Sequence, residues 1–209
     1  MQVIQADEIH RTSFIKRGVT LEYFTIAYNS LEGLIALVAG FLAGSIALVG
    51  FGFDSVIEVT SGAALLWRLH ADADEAWREH VELITLLVVG GCFLVLALYV
   101  GYEAISSLAN HALPERSVPG ILLAVASLIV MPLLARAKRG VARDLDSEAM
   151  LADAKQTEFC TYLSAVLLGG LLLNALLGWW WADPVAALVM VPIIAKEGIE
   201  AVRGDTCCD

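Results

Sequence analysis

Long apolar runs separated by short polar stretches dominate this chain, and their length predicts membrane-spanning helices. The six runs cover approximately residues 21–40, 45–69, 83–109, 118–135, 148–177 and 185–201. A helix needs about 20 apolar residues to cross ~30 Å of hydrocarbon, which is close to the length of these runs. The pattern predicts an all-α, polytopic membrane protein with six transmembrane helices. We expect residues 1–209 to form one transmembrane domain without a soluble C-terminal domain, because apolar spans occupy most of the length.

Composition supports this interpretation and narrows the possible partners. Hydrophobic residues make up 58% of the 209 residues and charged residues only 17%, with a mean hydropathy of +0.73. Soluble domains are less apolar and more highly charged. The net charge is −10, and the sequence contains no basic patch of the kind that binds nucleic acid. The lipid bilayer is therefore an expected partner, and a nucleic acid is not.

The basic residues collect on one side of the predicted spans. Arginine and lysine in the stretches flanking membrane helices are enriched on the cytoplasmic side. With six spans, both termini and nearly all basic residues fall on the same side, while Arg116 falls on the other. The sequence therefore predicts cytoplasmic N and C termini, on the basis of Arg11, Lys16, Arg17, Arg68, Arg78, Arg136, Lys138, Arg139, Arg143 and Arg203.

Two acidic residues interrupt the second apolar run without a basic residue to neutralise them. Asp54 and Glu58 lie within the 24-residue stretch GSIALVGFGFDSVIEVTSGAALLW. A spacing of four residues places both carboxylates on one helix face, about 6 Å apart along the axis. A carboxylate at membrane depth is costly and occurs mainly where it faces a polar pathway. The pair indicates a divalent-cation site or a proton relay; a carboxylate pair satisfied by neighbouring helices is the structural alternative.

A second set of polar residues lies at the start of the fifth run. Asp153, Gln156, Thr157 and Cys160 share one helical stripe. The second and fifth helices are antiparallel in the predicted topology, which places Cys160 near the depth of Asp54 and Gln156 near that of Glu58. Two carboxylates, an amide oxygen and a thiolate would suit tetrahedral Zn²⁺. Alternatively, Gln156 and Thr157 form interhelical hydrogen bonds and Cys160 is a small buried hydrophobe.

At these residues the chain resembles the cation diffusion facilitator family. The stretch AGFLAGSIALVGFGFDSVIE is similar to that family's first turn and second helix, where a metal-binding Asp or His precedes an acid by four residues. Asp54 and Glu58 fall on those two positions. Asn29 matches an Asn common in the family's first helix, and ADPVAAL looks like the turn into its sixth helix.

The chain departs from the family pattern in its fifth helix and its length. The family usually carries His and Asp where Gln156 and Cys160 stand here, and Asp153 matches the start of that motif. The family usually adds a cytoplasmic metal-binding domain, so this chain resembles a short branch without it. Cys207 and Cys208 lie at the extreme C-terminus and could capture a soft cation. A tail without function is the alternative for this pair.

The resemblance implies a transporter that exports a divalent transition metal of the Zn, Co, Fe, Mn or Cd class from the cytoplasm. It implies exchange against protons by a homodimer with alternating access. The candidate ligand set favours Zn²⁺ as the substrate, and we expect a bacterial inner membrane as the location. We expect no prosthetic group and no enzymatic activity, because the sequence contains no nucleophile–base motif or nucleotide-binding loop. A non-transporting membrane metal sensor or scaffold, with an altered site in the fifth helix, is the alternative function.

Overall fold

The computed structural model describes residues 2–70, 75–145 and 147–203, with side chains described for residues 13–67, 84, 87–145, 147 and 150–203. These residues form six α-helices and no strand, which confirms the all-α prediction. The helices are α1 (Gln2–Ala43), α2 (Ile46–His70), α3 (Glu75–Asn110), α4 (Val118–Leu145), α5 (Glu148–Leu177) and α6 (Ala182–Arg203).

Five of the six helices are long and apolar enough to cross a membrane. Among the described residues these spans are Ser13–Ala43, Ile46–Trp67, Leu87–Asn110, Val118–Leu145 and Met150–Leu177. Helix α6 has 22 residues and carries Asp183, Lys196, Glu197, Glu200 and Arg203, so its uncharged stretch is limited to the 12 residues 184–195. A membrane protein with several apolar helices is therefore supported, whereas a sixth span and the side on which the termini lie remain predictions.

Helix α4 is longer than the fourth apolar run. The sequence pattern ended that run near residue 135 and treated the following basic segment as a flanking stretch, but the helix continues to Leu145. Lys138 is wholly buried within this extension. The interpretation of Lys138 as a flanking charge was therefore wrong, because two carboxylates from other helices meet its ammonium group inside the protein.

Small residues allow several helices to approach closely. A Cβ atom built on Gly90 of α3 would lie 2.8 Å from the backbone oxygen of Gly198 in α6. A Cβ on Gly170 of α5 would lie 2.5 Å from the Cβ of Ala186 in α6. Close approach through small residues is the usual basis of helix packing in membranes, where the solvent supplies no hydrophobic drive.

The start of α2 is fixed by a polar contact with the start of α6. The Oγ of Ser45 accepts a hydrogen bond from the backbone N–H of Leu48 (3.1 Å), which caps the helix. Ser45 Oγ also donates to Asp183 Oδ1, and the backbone N–H of Ile46 donates to Asp183 Oδ2 (2.9 Å). Gly44 forms the preceding turn with a φ of 63°, in the left-handed region that favours glycine. The two helices are therefore joined at one end.

Candidate metal site

Helices α2 and α5 bring three metal-ligating side chains together in the buried interior. Candidate ligand atoms of Asp54, Glu58 and Cys160 all lie within 4.8 Å of one another. The three residues are 6%, 2% and 1% exposed, respectively. Asp54 and Glu58 meet because they lie one turn apart on α2, and Cys160 reaches them from α5, as expected for the predicted register. We call this group the α2–α5 cluster.

The spacing of the α2–α5 cluster suits one small cation. The ligand atoms of a tetrahedral Zn²⁺ lie about 3.4–3.8 Å apart, given bond lengths of about 2.1 Å to oxygen and 2.3 Å to sulfur. Side chains within 4.8 Å can therefore close on such an ion with small rotations. Neither carboxylate oxygen of Glu58 has a hydrogen-bond partner among the described residues. Unpartnered buried acceptors of this kind call for a bound ion, a proton or water.

A cavity next to the cluster adds two further polar side chains. It is small, with about 10 Å³ of cavity volume, and is lined by Asp54, Glu58, Phe93, Gln156, Phe159, Leu163, Ile193, Ile194 and Glu197. Gln156 lines this cavity together with the two carboxylates, and its Nε2 atom has no hydrogen-bond partner among the described residues. Its amide oxygen is a further candidate ligand.

Glu197 is the one acidic residue of this cavity that sequence reasoning missed. It lies on α6, and its Oε2 is buried without a hydrogen-bond partner in the described part of the chain. Its signal in the sequence is an acid three residues after the buried Ile194, on the same stripe of an otherwise apolar helix. Glu197 is not conspicuous in the sequence because Lys196 and Glu200 lie beside it, and these two residues pair with each other at 3.5 Å.

Asp153 lies outside the set of residues that line the cavity. Its carboxylate forms an ion pair with Lys138, and its backbone oxygen accepts a hydrogen bond from Thr157 Oγ1 (3.1 Å). The sequence analysis named Asp153 as a candidate metal ligand. In the structure its carboxylate is paired with Lys138 instead. The hydroxyl of Thr157 is therefore used in a hydrogen bond to the backbone of its own helix.

Asn29 lies in a separate buried polar group on α1. Neither its amide oxygen nor its amide nitrogen has a hydrogen-bond partner among the described residues. One turn later, Glu32 accepts a hydrogen bond from Ser55 Oγ (3.1 Å), and Ser55 is the residue after Asp54. Helix α1 thus presents a polar surface beside the α2–α5 cluster. A role for Asn29 as an accessory residue remains a prediction.

The terminal pair of cysteines cannot be placed relative to this site. Cys207 and Cys208 lie outside the described residues. Their suggested capture of soft cations therefore remains a prediction from the sequence.

Comparison with known proteins points in the same direction as the geometry. The family model of the cation efflux transmembrane domain matches residues 23–204. Transmembrane protein 163 of Xenopus laevis is 26% identical over 195 residues, which are 90% of this chain and 67% of that protein. The cadmium, cobalt and zinc/H(+)-K(+) antiporter of Bacillus subtilis (strain 168) is 24% identical over 199 residues, 89% of this chain and 62% of the antiporter.

A further relative has a name linked to magnetosomes. The magnetosome protein MamB of Magnetospira sp. (strain QH-2) is 28% identical over 184 residues, 85% of this chain and 61% of that protein. The chain spans about half to two thirds of the length of the curated relatives it matches.

Proposed function

This chain belongs to the cation efflux family, and from that premise we propose that it exports divalent transition-metal cations from the cytoplasm. The family is one of transporters, so the substrate is an ion rather than a molecule to be chemically converted. The α2–α5 cluster is the observation that carries the proposal. Two buried carboxylates and a thiol from facing helices form a cation-sized group inside a membrane protein.

We assign metal binding to Asp54, Glu58, Cys160 and Gln156. The thiolate of Cys160 favours ions softer than Mg²⁺ and Ca²⁺, which prefer oxygen ligands. Zn²⁺ fits best because a tetrahedral set of two carboxylates, one amide oxygen and one thiolate matches its preferred ligand number. Co²⁺ and Cd²⁺ follow by the same reasoning, and the name of the Bacillus relative includes cadmium, cobalt and zinc.

Proton exchange follows from the chemistry of the same ligands. Carboxylates and a thiol must lose their protons before they bind a metal ion, so metal binding releases protons and proton uptake favours metal release. A proton gradient directed into the cytoplasm would therefore drive export, since protons arriving from the far side displace the metal there. The Bacillus relative is likewise named as an exchanger of protons.

Alternating access would expose the cluster to each side of the membrane in turn. Such a mechanism moves groups of helices around a fixed site near the middle of the bilayer. The pairing of α2 with α5 at the site fits this picture, because a relative tilt of these two helices would separate Cys160 from the carboxylates. We further propose that two copies of the chain form the working unit, in a bacterial inner membrane.

Metal flux into proteoliposomes tests the proposal. Purified full-length protein should accumulate Zn²⁺ in vesicles loaded at lower pH than the outside, and Asp54→Asn should abolish that uptake. Asp144→Asn is the matched control, because Asp144 is an exposed carboxylate near the end of α4. Flux equal to wild type in a folded Asp54→Asn protein would contradict the site. Tight metal binding without flux would instead favour the sensor or scaffold function.

A further inference from the structure

A second group of ionisable side chains is buried close to the α2–α5 cluster. It consists of Glu22 on α1, Lys138 in the last third of α4 and Asp153 near the start of α5, and we call it the Lys138 cluster. The Nζ atom of Lys138 lies 3.2 Å from Glu22 Oε1 and also pairs with Asp153 Oδ2. The side chains of Lys138 and Glu22 are 0% exposed, and that of Asp153 is 5% exposed. A cation is thus enclosed between two carboxylates from different helices.

The Lys138 cluster lies about one helical turn from Glu58. Gly62 follows Glu58 by four residues on the same face of α2, which corresponds to about 6 Å along the axis. A Cβ built on Gly62 would lie 3.4 Å from Glu22 Oε2, so the Glu22 carboxylate packs directly against that point of α2. On α5, Asp153 precedes Cys160 by seven residues, or about 10 Å. The carboxyl groups of the two clusters are therefore separated by only about one to two helical turns.

One carboxylate oxygen of the Lys138 cluster keeps unused ligand capacity. Asp153 Oδ1 is buried and accepts no hydrogen bond from any described residue, whereas both oxygens of Glu22 lie 3.2 Å from the Lys138 ammonium nitrogen. The cluster sets two carboxyl groups against one ammonium group in a region of low dielectric, where charges interact strongly. Lysine is a compact charge on a flexible stem, unlike the planar and more rigid guanidinium of arginine. This flexible stem gives the ammonium group a means of moving away from the two carboxyl groups.

We infer that Glu22 and Asp153 form a second, all-oxygen site for the transported divalent cation, which the Lys138 ammonium group fills when no metal is there. The inference rests on the proposed function, because it places this site on the metal's path to the α2–α5 cluster. The ion displaces the ammonium group, is held by carboxylate oxygens, and then passes to the cluster that contains the Cys160 thiolate. Lys138 thus acts as a tethered counter-ion to the two buried carboxyl groups between passages.

A buried ion cluster that serves the fold alone is the competing explanation. Buried salt bridges add little net stability, because desolvation of the charges offsets their attraction. That explanation predicts that loss of the ammonium group destabilises the protein without creating a metal site. The two explanations therefore differ in the number of metal ions that a Lys138 variant binds.

Binding stoichiometry in detergent-solubilised full-length protein provides the first test. Lys138→Gln removes the ammonium group and retains a polar side chain of similar length. Wild type should bind one Zn²⁺ per chain, and Lys138→Gln should bind two. Lys138→Arg keeps the charge and should bind one, whereas Glu22→Gln combined with Lys138→Gln should lose the additional ion. One Zn²⁺ per chain in folded Lys138→Gln, up to about millimolar free metal, would overturn the inference.

Cobalt separates failure of this inference from failure of the proposed function. Co²⁺ bound by Cys160 absorbs in the near ultraviolet through charge transfer from the thiolate, and an all-oxygen site does not. The second Co²⁺ of Lys138→Gln should therefore add no such absorption. It should also persist when Asp54→Asn is added to Lys138→Gln. An Asp54→Asn protein with unaltered thiolate–Co²⁺ absorption would contradict the α2–α5 cluster as the transport site, and would leave the stoichiometry of Lys138→Gln as a separate result.

A kinetic measurement tests the path without removing the ammonium group. Glu22→Gln keeps the Lys138–Asp153 pair, and it removes one carboxylate from the proposed second site. Rates of Zn²⁺ association with the α2–α5 cluster and dissociation from it should both fall about tenfold, with the Kd unchanged. A purely structural role for Glu22 would not slow both rates equally. Stopped-flow rates equal to wild type in Glu22→Gln would overturn the inference even if Lys138→Gln fails to fold.

Discussion

The thiol of Cys160 gives the α2–α5 cluster a chemical character that its two carboxylates alone would lack. The side chain is buried at the contact of α2 and α5, within reach of Asp54 and Glu58. A thiolate is a polarisable ligand and selects softer ions, whereas an all-oxygen set accepts harder ones such as Mn²⁺. The identity of this one residue should therefore affect metal preference more than metal binding as such.

Cys160→Ser should weaken the binding of Zn²⁺, Co²⁺ and Cd²⁺ together, because a hydroxyl is a poor ligand at neutral pH. We expect a loss of at least about tenfold in affinity, which corresponds to ~1.4 kcal/mol. The fold should be retained, since the two side chains are nearly equal in volume. Competition titrations on purified protein measure the change. Cys92→Ser is the control because Cys92 is exposed on α3. Unchanged affinities in Cys160→Ser would make Cys160 a packing residue.

Cys160→Asp should move metal preference toward Mn²⁺ or Fe²⁺, because it replaces sulfur with oxygen. Gln156→His should strengthen Zn²⁺ binding, since imidazole nitrogen is a better Zn²⁺ ligand than an amide oxygen. The same competition series measures both variants beside wild type. If neither preference shifts, the side chains at positions 156 and 160 do not contact the ion.

Metal affinity should fall as the pH is lowered below neutrality. Protons and metal compete for the same carboxylates and thiol, so a lower pH favours the protonated, metal-free site. The apparent Kd should rise by up to about tenfold per pH unit for each proton displaced. Zn²⁺ titrations between pH 6 and pH 8 measure the slope. Asp54→Asn removes one titrating ligand and should give a shallower slope, whereas a Kd independent of pH would argue against proton exchange at this site.

At the scale of helices, close contacts between backbones hold α6 against its neighbours. Gly90 of α3 and Gly198 of α6 face each other, and no side chain larger than hydrogen fits between them without movement of the backbone. Gly91 follows Gly90 in the chain, and a Cβ built there would meet nothing within 4 Å. Substitution of Gly90 therefore tests the helix contact, whereas the same substitution at Gly91 tests helix propensity alone.

Gly90→Ala should destabilise the protein by about 1–3 kcal/mol, the usual cost of forcing an extra carbon into a packed contact. Gly91→Ala should leave stability unchanged or raise it by up to about 1 kcal/mol, because alanine is the better helix former. Thermal unfolding in detergent measures both. Equal effects of the two variants would show that α3 and α6 do not pack through Gly90.

The helices themselves were predictable from the sequence, but their ends and some of their contacts were not. The length of an apolar run indicates only the part of a helix that lies in lipid. Helices α1, α3 and α4 extend past their apolar runs into charged residues. Asp54 and Glu58 were found because their spacing is local. Lys138 was misread because its partner Glu22 lies 116 residues away in sequence, and only tertiary packing brings the two together.

At the scale of the whole molecule, orientation depends on which side carries the basic residues. Burial of Lys138 removes one charge from that argument, but the remaining basic residues still favour the side of the two termini. Even so, α6 is not among the five helices that are long and apolar enough to cross a membrane, and a span by α6 is needed to bring both termini to one side.

Reporter fusions should show both the sixth span and the orientation. A reporter that is active only outside the cytoplasm should be inactive after residue 203 and active in the connection between α3 and α4, near Arg116. Fusion after Gly178, ahead of α6, should also be active, because α6 would not yet have returned the chain to the cytoplasm. Activity both after Gly178 and after residue 203 would mean that α6 does not cross the membrane.

The link from Asp183 to the start of α2 gives that helix a fulcrum. Ile46 is held there, so a tilt of α2 displaces each residue in proportion to its distance along the axis, about 12 Å for Asp54 and about 18 Å for Glu58. A tilt of about 10° would move these residues by about 2 Å and 3 Å, which is comparable to a metal–oxygen bond of about 2.1 Å. Because Glu58 is farther from the fixed end of α2, such a tilt would separate Glu58 from a shared ion before Asp54.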